Sequence, residues 1–283
     1  SQREENRLQV QHNILYQLFG EKLFFPEIFN PTSVLECGYG SGDWAVQIAD
    51  EYEDCEVCQH GYEGFPFSGG LWMKMTQHFD LMMTDNLGLH GYNLNDRLDD
   101  LEVFEHRPYD LIHSRFVAQG IKKSRWTGYV RDMRLLLKPT GWVQLVEYYL
   151  NVQSNTGRLT SESALRRWWE NYVTAMETSM RDARAARNLA QLLIEANYRR
   201  VGSNTFQLPI GGWRPEPGMA RIGRDSVDMV GELLESVSLW LFTERLGWTA
   251  AKVATLNNEI RAELQDTSLQ LYVTIYVAWG RKS

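Results

Sequence analysis

The segment that most constrains this fold is an apolar run that ends in alternating glycines, Val34-Leu35-Glu36-Cys37-Gly38-Tyr39-Gly40-Ser41-Gly42-Asp43-Trp44. The first part is typical of a buried strand, and glycines after a strand let the backbone turn sharply and let a ligand approach the main chain. The apolar residues that follow fall on one helical face: Trp44, Ala45, Ile48 and Ala49. The segment predicts a strand, glycine turn and helix at the ligand-binding edge of an α/β sheet.

The rest of the first half alternates between strand and helix patterns. Helices are predicted over residues 5–23, ending near Gly20, and over 124–137, and strands over 56–60, 109–114 and 142–148, with a turn at 138–141. Such alternation favours a parallel sheet covered on both faces.

Beyond Asn151 the pattern becomes mainly helical. Helices are predicted over 161–179, 183–197, 227–243 and 249–264, and strands over 204–210 and 270–279. We see no internal repeat and no linker, so the sequence favours one elaborated domain over residues 1–283.

Composition narrows the class of protein. The 283 residues carry 29 Lys+Arg against 36 Asp+Glu, a net charge of −7, which argues against a nucleic-acid partner. No apolar run reaches the roughly 18 residues of a spanning helix, and the polar start does not resemble a signal peptide, so we expect a soluble protein without a membrane partner. Oligomerisation stays open.

The three cysteines, Cys37, Cys55 and Cys58, offer no disulfide framework and suit a reducing compartment, which indicates the cytoplasm with the nucleus as an alternative. Cys55 and Cys58 have no further ligand pair to complete a zinc site. We therefore predict no metal site and interpret both as buried thiols on opposite faces of a strand.

Several blocks resemble a known family. Glu36-x-Gly38-x-Gly40-x-Gly42 resembles the first motif of class I S-adenosylmethionine-dependent methyltransferases. Residues 7–12, 34–45, 109–116 and 137–147 are similar, in order and spacing, to the LaeA-like methyltransferases of filamentous fungi. This resemblance implies a Rossmann-like, seven-stranded, mostly parallel sheet with an antiparallel final pair, an N-terminal helix and a helical cap insertion.

The resemblance also divides the single methyltransferase-fold domain. Residues 1–31 correspond to an N-terminal helical cap, 32–150 to the cofactor-binding core, 151–200 to a helical substrate cap, and 201–283 to the remaining core strands and helices.

S-adenosylmethionine is the cofactor that the resemblance implies. The glycines of the turn are expected to pass under its methionine and ribose parts, with Glu36 near its amino group and Ser114 and Arg115 beside the methyl donor. The full predicted set is Glu36, Gly38, Tyr39, Gly40, Gly42, Gly61, Tyr62, Asn93, Ser114 and Arg115. For Arg115 the competing interpretation is a simple salt bridge.

Two departures from the family pattern concern this cofactor. The acid that accepts the ribose hydroxyls falls at Gly61, unless Glu63 takes its place by a shift of the loop, and Tyr92-Asn93 replace the acidic pair near the adenine. Each lost charge-assisted hydrogen bond costs about 1.5–3 kcal/mol. Stacking can compensate, or these aromatic residues simply pack in the core: Tyr39, Tyr62, Phe65, Phe67 and Trp72.

Methyl transfer relies mainly on positioning, so an obvious catalytic residue is not required. If a base is needed, the candidates are His12, His113 and Glu147, against the alternatives of an ordinary helix histidine and a solvated strand-end carboxylate. Aromatic residues in the helical insertion and loops predict an apolar, aromatic substrate, although core packing is the default for the 168–176 stripe. The predicted substrate contacts are Tyr16, Phe116, Gln119, Trp168, Trp169, Tyr172 and Trp213.

Three functions follow from these observations. The first is methylation of an apolar small molecule of fungal secondary metabolism. The second, motivated by Gly61 and Tyr92-Asn93, is a repurposed methyltransferase fold that acts as a cyclase or pericyclase. The third is a non-catalytic regulatory partner.

Overall fold

The first half of the chain contains helices and strands, and its strands pair side by side in one sheet. The computed structural model describes residues 2–38, 40–61, 86–100, 103–104 and 108–283. Its first elements are α1 (Gln2–Leu18), β1 (Ser33–Cys37), α2 (Asp43–Glu51), β2 (Glu56–Gly61), β3 (Leu87–Gly91), β4 (Tyr109–Arg115), α3 (Trp126–Leu136) and β5 (Leu137–Ser154). The second half adds α4 (Ala164–Thr178), α5 (Leu189–Glu195), β6 (Arg199–Ile210), α6 (Pro217–Leu246), α7 (Ala250–Gln265) and β7 (Leu271–Arg281).

One seven-stranded sheet organises these elements, in the order β3-β2-β1-β4-β5-β7-β6. The pairs from β3 through β5 are parallel, and β7 is antiparallel to both β5 and β6. The predicted fold class is confirmed. The carboxyl ends of β1, β4 and β5 meet at one edge, and this edge positions the site.

Three strands differ from the prediction, and one of them, β6, begins at Arg199 and not at residue 204. β3 was not predicted, because Leu87-Gly88-Leu89-His90-Gly91 is short and glycine-rich. β5 absorbs the turn predicted at residues 138–141, because Leu137 pairs with Tyr109 before a register shift, and the strand then continues through Ser154 against β7. Partners far along the chain therefore set the length of β5.

Helix α6 begins at Pro217 and is 30 residues long, whereas the predicted helix started at residue 227. Proline at a helix start has no amide hydrogen to leave unpaired, and its fixed φ suits the first turn. Gly247, with φ 67°, ends the helix.

The two neighbouring thiols pack as predicted. Cys55 is buried with the residues around Val34 and Trp44, whereas Cys58 is buried with those around Leu35 and Ile112, in a separate cluster. In the described part of the chain, no helix combines the length and the apolar composition that crossing a bilayer requires.

Candidate functional site

The glycine turn has the backbone conformation that its sequence predicts. Gly38, Gly40 and Gly42 have φ values of 80°, 59° and 83°, in the left-handed region that residues with side chains rarely adopt. A Cβ on Gly38 would lie 2.3 Å from Cγ1 of Val117, so this position also needs glycine for packing. α1 covers the turn, since a Cβ on Gly40 would lie 3.7 Å from Leu8.

A row of four buried polar side chains crosses the sheet beside this turn. Gln59, Glu36, His113 and Gln144 are successive register partners on β2, β1, β4 and β5, and each is at most 1% exposed. Register partners project from the same face of a sheet, so the four side chains lie side by side on the face covered by α2. The ring centroids of Trp44 and His113 are 4.0 Å apart, so α2 packs directly on this row.

Glu36 is the electrostatic centre of the row. Its Oε2 accepts a hydrogen bond from Nε2 of Gln59 at 3.2 Å, whereas its Oε1 has no hydrogen-bond partner in the described part of the chain. Complete burial raises the pKa of Glu36 to about 8, although the charge of Arg115 opposes this shift. The carboxyl group is therefore mainly protonated at neutral pH in this state.

Arg115 joins α1 to this centre. Its guanidinium lies 3.8 Å from Oε1 of Glu36 and 3.3 Å from Nδ1 of His12. The other ring nitrogen of His12 lies 2.8 Å from Oε1 of Gln47 on α2. These contacts make Nδ1 the acceptor and Nε2 the donor, so His12 is neutral, and burial together with the charge of Arg115 lowers its pKa. His12 therefore holds Arg115 and has no free nitrogen to act as a base in this arrangement.

His113 is enclosed. It is 1% exposed, and neither ring nitrogen has a hydrogen-bond partner among the described residues. Burial lowers its pKa well below the usual value, so the ring is neutral. Together with His12, Tyr16, Trp44 and Arg115 it lines a small cleft between α1 and the sheet.

Glu147 lies in the middle of β5 and is buried, so the alternative of a solvated strand-end carboxylate is wrong. It is 2% exposed, and its Oε1 accepts hydrogen bonds from the amides of Val117 and Ala118 at 2.8 and 3.1 Å. Burial raises its pKa to about 8. The two hydrogen bonds from Val117 and Ala118 to Glu147 anchor the loop that follows β4.

Two of the predicted cofactor contacts bond to neighbouring protein groups. Ser114 Oγ lies 3.0 Å from the hydroxyl of Tyr129, on the other face of the sheet from Arg115. Oδ1 of Asn93 accepts a hydrogen bond from the amide of Asn95 at 3.1 Å. Gly61 ends β2, and the register of the preceding pair, Cys37 with His60, brings it beside Gly38.

The predicted contacts Tyr39 and Tyr62 lie outside the described residues. So do Glu63 and the aromatic residues Phe65, Phe67 and Trp72.

The predicted substrate contacts divide into two groups. Trp168, Trp169 and Tyr172 of α4 are 1%, 7% and 2% exposed and belong to the core formed with α6 and α7, where Trp168 stacks on Tyr172 at 4.8 Å. Trp213 donates to the carbonyl of Leu271 at 2.8 Å, which ties the loop after β6 to the start of β7.

The second group lies near the sheet edge. Phe116, at φ 58°, stacks on Tyr148 with centroids 4.2 Å apart. Tyr16 stacks with His12 in the cleft at 6.4 Å, and the side chain of Gln119 opposes the burial-driven rise in the pKa of the Tyr172 hydroxyl, so it lies beside that hydroxyl. Tyr172 thus links the helical insertion to the loop after β4.

Sequence reasoning missed the glutamines that order the site. Gln144 accepts from the amide of Phe25 at 2.7 Å and donates to the carbonyl of Leu23 at 3.2 Å, and Trp44 donates to the same carbonyl at 3.0 Å. These bonds fix the connector between α1 and β1. A glutamine inside an apolar strand pattern is the one signal that pointed to this role.

The strand order, with a glycine turn after β1 and an antiparallel β7, is the fold of class I methyltransferases. Solved structures share it: a cyclopropane-fatty-acyl-phospholipid synthase-like protein of Lactobacillus casei is 13% identical, with a TM-score of 0.58 over 98% of this chain and 91% of that chain. Phosphoethanolamine N-methyltransferase 2 of Haemonchus contortus, solved with S-adenosyl-L-methionine, is 15% identical, with a TM-score of 0.52 over 96% of this chain and 53% of that chain. The match thus spans about half of the nematode enzyme.

The methyltransferase domain family matches residues 10–201, and the chain belongs to it. Methyltransferase pytC of Aspergillus terreus is 27% identical over 284 residues, which cover 99% of this chain and 81% of the relative. Protein-methionine methyltransferase laeA of Emericella nidulans is 22% identical over 288 residues, 99% of this chain and 71% of the relative. The prediction of a fungal-type S-adenosylmethionine-dependent methyltransferase is confirmed at the level of the family.

The residues present fit the methionine end of S-adenosylmethionine. Three glycines expose main chain without side chains, and the buried Oε1 of Glu36 is free to accept a hydrogen bond from an ammonium group. At the ribose end, Gly61 offers no carboxylate.

Proposed function

We propose that this protein transfers the methyl group of S-adenosylmethionine to an O, N or C atom of an apolar small molecule of fungal secondary metabolism. The observation that carries the proposal is the glycine turn, with three positive φ values, beside a buried Glu36 whose Oε1 lacks a partner in the described part of the chain. The two fungal relatives, methyltransferase pytC and protein-methionine methyltransferase laeA, support methyl transfer in a fungal setting.

When bound, S-adenosylmethionine supplies an electrophilic methyl group, so the protein's main task is to hold the acceptor in line with it. Gly38, Gly40 and Gly42 line the methionine end, and Glu36 accepts from its ammonium group. The loop after β4 carries Phe116 and is fixed by the two amide hydrogen bonds to Glu147. Glu147 therefore positions this loop, and His12 positions Arg115. Of the three bases predicted from the sequence, only His113 keeps that role.

Isothermal titration calorimetry with S-adenosylmethionine and S-adenosylhomocysteine tests the proposal. We expect a dissociation constant at or below about 100 μM, near −5.5 kcal/mol. Undetectable binding to folded protein would refute the proposal. Loss of activity in Glu36→Ala without loss of binding would contradict the role given to Glu36.

Restoring the missing acid makes the test sharper. Because Gly61 ends β2 beside Gly38, Gly61→Asp should strengthen binding of S-adenosylhomocysteine about tenfold, by adding a charge-assisted acceptor for the ribose hydroxyls. Gly91→Asp, at the end of the neighbouring strand β3, is the matched control and should not strengthen it. A weaker complex for Gly61→Asp, with the fold intact, would mean that the ribose does not lie there.

A cyclase or pericyclase is the second candidate, favoured by the absence of a carboxylate at Gly61. Turnover of a substrate without added cofactor and without a gain of methyl mass would select it. A regulatory partner without catalysis predicts neither turnover nor mass gain.

The three free, buried thiols, Cys37, Cys55 and Cys58, support a reducing compartment, the cytoplasm or the nucleus.

A further inference from the structure

The carboxyl ends of β4 and β5 carry a second group of buried polar side chains, which lies beneath α1. We call it the acid site and define it by Arg7, Arg115 and Tyr148. Arg115 is the register partner of Val146, so it lies on the same face of the sheet as Tyr148, two residues further along β5. This placement brings a guanidinium and a phenol hydroxyl to one edge of the sheet.

Arg115 is a buried cation without a close counterion. Its side chain is 10% exposed, and Glu36, the one carboxylate paired with it in the described part of the chain, lies 3.8 Å away, beyond hydrogen-bond distance. Its hydrogen bond goes to His12 instead, at 3.3 Å, and its guanidinium stands over the Phe116 ring at 5.8 Å. A guanidinium has five N–H donors, so most of them remain available.

Tyr148 offers a second unused donor. The residue is 6% exposed, and its hydroxyl has no hydrogen-bond partner among the described residues. The stack of its ring on Phe116, at 4.2 Å and 16°, holds the hydroxyl in place. Leaving a buried hydroxyl unpaired is unfavourable, so a ligand that accepts a hydrogen bond from it relieves this penalty.

Arg7 is a buried arginine of α1 whose charge is paired with Glu4. It is 6% exposed and is held by Glu4 at 2.6 Å and by Gln11 at 2.8 Å. Burial raises the pKa of the Tyr148 hydroxyl, and the charges of Arg7 and Arg115 oppose this shift to a smaller extent. A buried guanidinium with unused donors and a buried hydroxyl donor on the same face of the sheet favour an anion.

The position of the acid site in the fold indicates which molecule binds there. The glycine turn and Glu36 belong to β1, whereas Arg115 lies one strand away on β4 and Tyr148 two strands away on β5. The acid site thus extends from Glu36, 3.8 Å from Arg115, away from the glycine turn along the carboxyl edge of the sheet. The stacked rings of Phe116 and Tyr148 give this side an apolar wall.

We propose that Arg115 and Tyr148, with Arg7 above them, bind a carboxylate or an equally acidic oxygen of the methyl acceptor, so that the acceptor is an apolar molecule with one acidic group. The assignment of this anion to a methyl acceptor rests on the proposed function. The same chemistry could come from the carboxylate of the cofactor's methionine part, and the experiment separates the two sources.

The test uses the full chain and two ligand pairs, and in each pair only one member carries a carboxylate. Naphthoate and naphthamide represent an apolar acid and its neutral counterpart, and S-adenosylhomocysteine and methylthioadenosine differ by the amino-acid part of the cofactor. Binding is followed by quenching of tryptophan fluorescence. We expect naphthoate to bind at least about tenfold more tightly than naphthamide, with this ratio falling to about one in Arg115→Gln.

Tyr148→Phe is the milder variant, because it keeps the stacked ring and removes only the hydroxyl. It should lower the naphthoate preference about threefold. Arg221→Gln, on the exposed face of α6, is the matched control and should leave the preference unchanged. Thermal unfolding of each variant shows whether the fold is kept.

Each outcome decides the proposal. An equal affinity for naphthoate and naphthamide, absence of binding included, overturns the acceptor assignment, and so does a preference that survives both Arg115→Gln and Tyr148→Phe. If Arg115 controls only the S-adenosylhomocysteine preference, the anion is the cofactor's. If S-adenosylhomocysteine does not bind but the naphthoate preference depends on Arg115, the proposed function fails while the acid site stands.

Discussion

Replacing Glu36 by glutamine should make the stability of this protein less sensitive to pH. Complete burial raises the pKa of Glu36 in the folded state from its usual value of 4.5 to about 8. The folded protein therefore binds this proton more tightly than the unfolded chain does. The free energy of unfolding is highest below the unfolded pKa and falls as the pH rises from there through the folded pKa.

The size of this effect follows from the shift. One pKa unit corresponds to about 1.4 kcal/mol, so ionisation of Glu36 lowers the free energy of unfolding by about 3 kcal/mol between about pH 5.5 and about pH 8. Glutamine has nearly the same shape, and its Oε1 can still accept from Gln59. Glu36→Gln should therefore remove this decrease of about 3 kcal/mol in the free energy of unfolding.

Urea unfolding at the two pH values measures the change. Both the wild type and the variant contain a second buried acid, Glu147, whose pKa is also raised to about 8. Glu36→Gln should therefore remove about half of the total fall in the free energy of unfolding between the two pH values. Glu53→Gln, at an exposed position before β2, is the control and should change little. If Glu36→Gln and the wild type lose stability equally as the pH rises, Glu36 is not held in its protonated form and the electrostatic account of the site is wrong.

Two further substitutions test how the site is built. Gly38→Ala should lower the free energy of unfolding by about 2–3 kcal/mol, because φ is 80° and the new Cβ would meet Val117 at 2.3 Å. Gly20→Ala, at φ 70° with open space around it, should lower it by about 1 kcal/mol. Equal losses in urea unfolding would show that backbone strain alone acts at Gly38. Gln144→Leu should cost about 1–3 kcal/mol, because it leaves the amide of Phe25 unpaired, and it should speed proteolysis in the connector before β1. Unchanged cleavage there would mean that Gln144 does not hold the connector.

Local patterns in the sequence predicted much of this fold. The strand, glycine turn and helix around Gly38 were predictable, because glycine at positive φ and a helical apolar face are properties of neighbouring residues. The antiparallel final pair came from the family resemblance. β3 and the full length of β5 were not predictable, because a strand's extent depends on the strand it pairs with.

The candidate site was predicted in part. Glu36, Arg115 and His12 were named, and the structure brings Glu36 and Arg115 to 3.8 Å. Gln59 beside Glu36, Gln47 beside His12 and Tyr148 on the face of Arg115 were not named. These partners lie on other strands and helices, so no spacing along the chain reveals them.

By itself, the sequence determined the backbone of the glycine turn, most of the helices and strands, and the family, because each depends on residue type and local periodicity. Only the tertiary structure decided which polar groups become buried together. Strand register sets Glu36 beside Gln59 and His113, and packing of α1 places His12 on Arg115. Burial and pairing then set the charge of each group, because the energy of a charge depends on the groups around it in space and not on its neighbours in sequence.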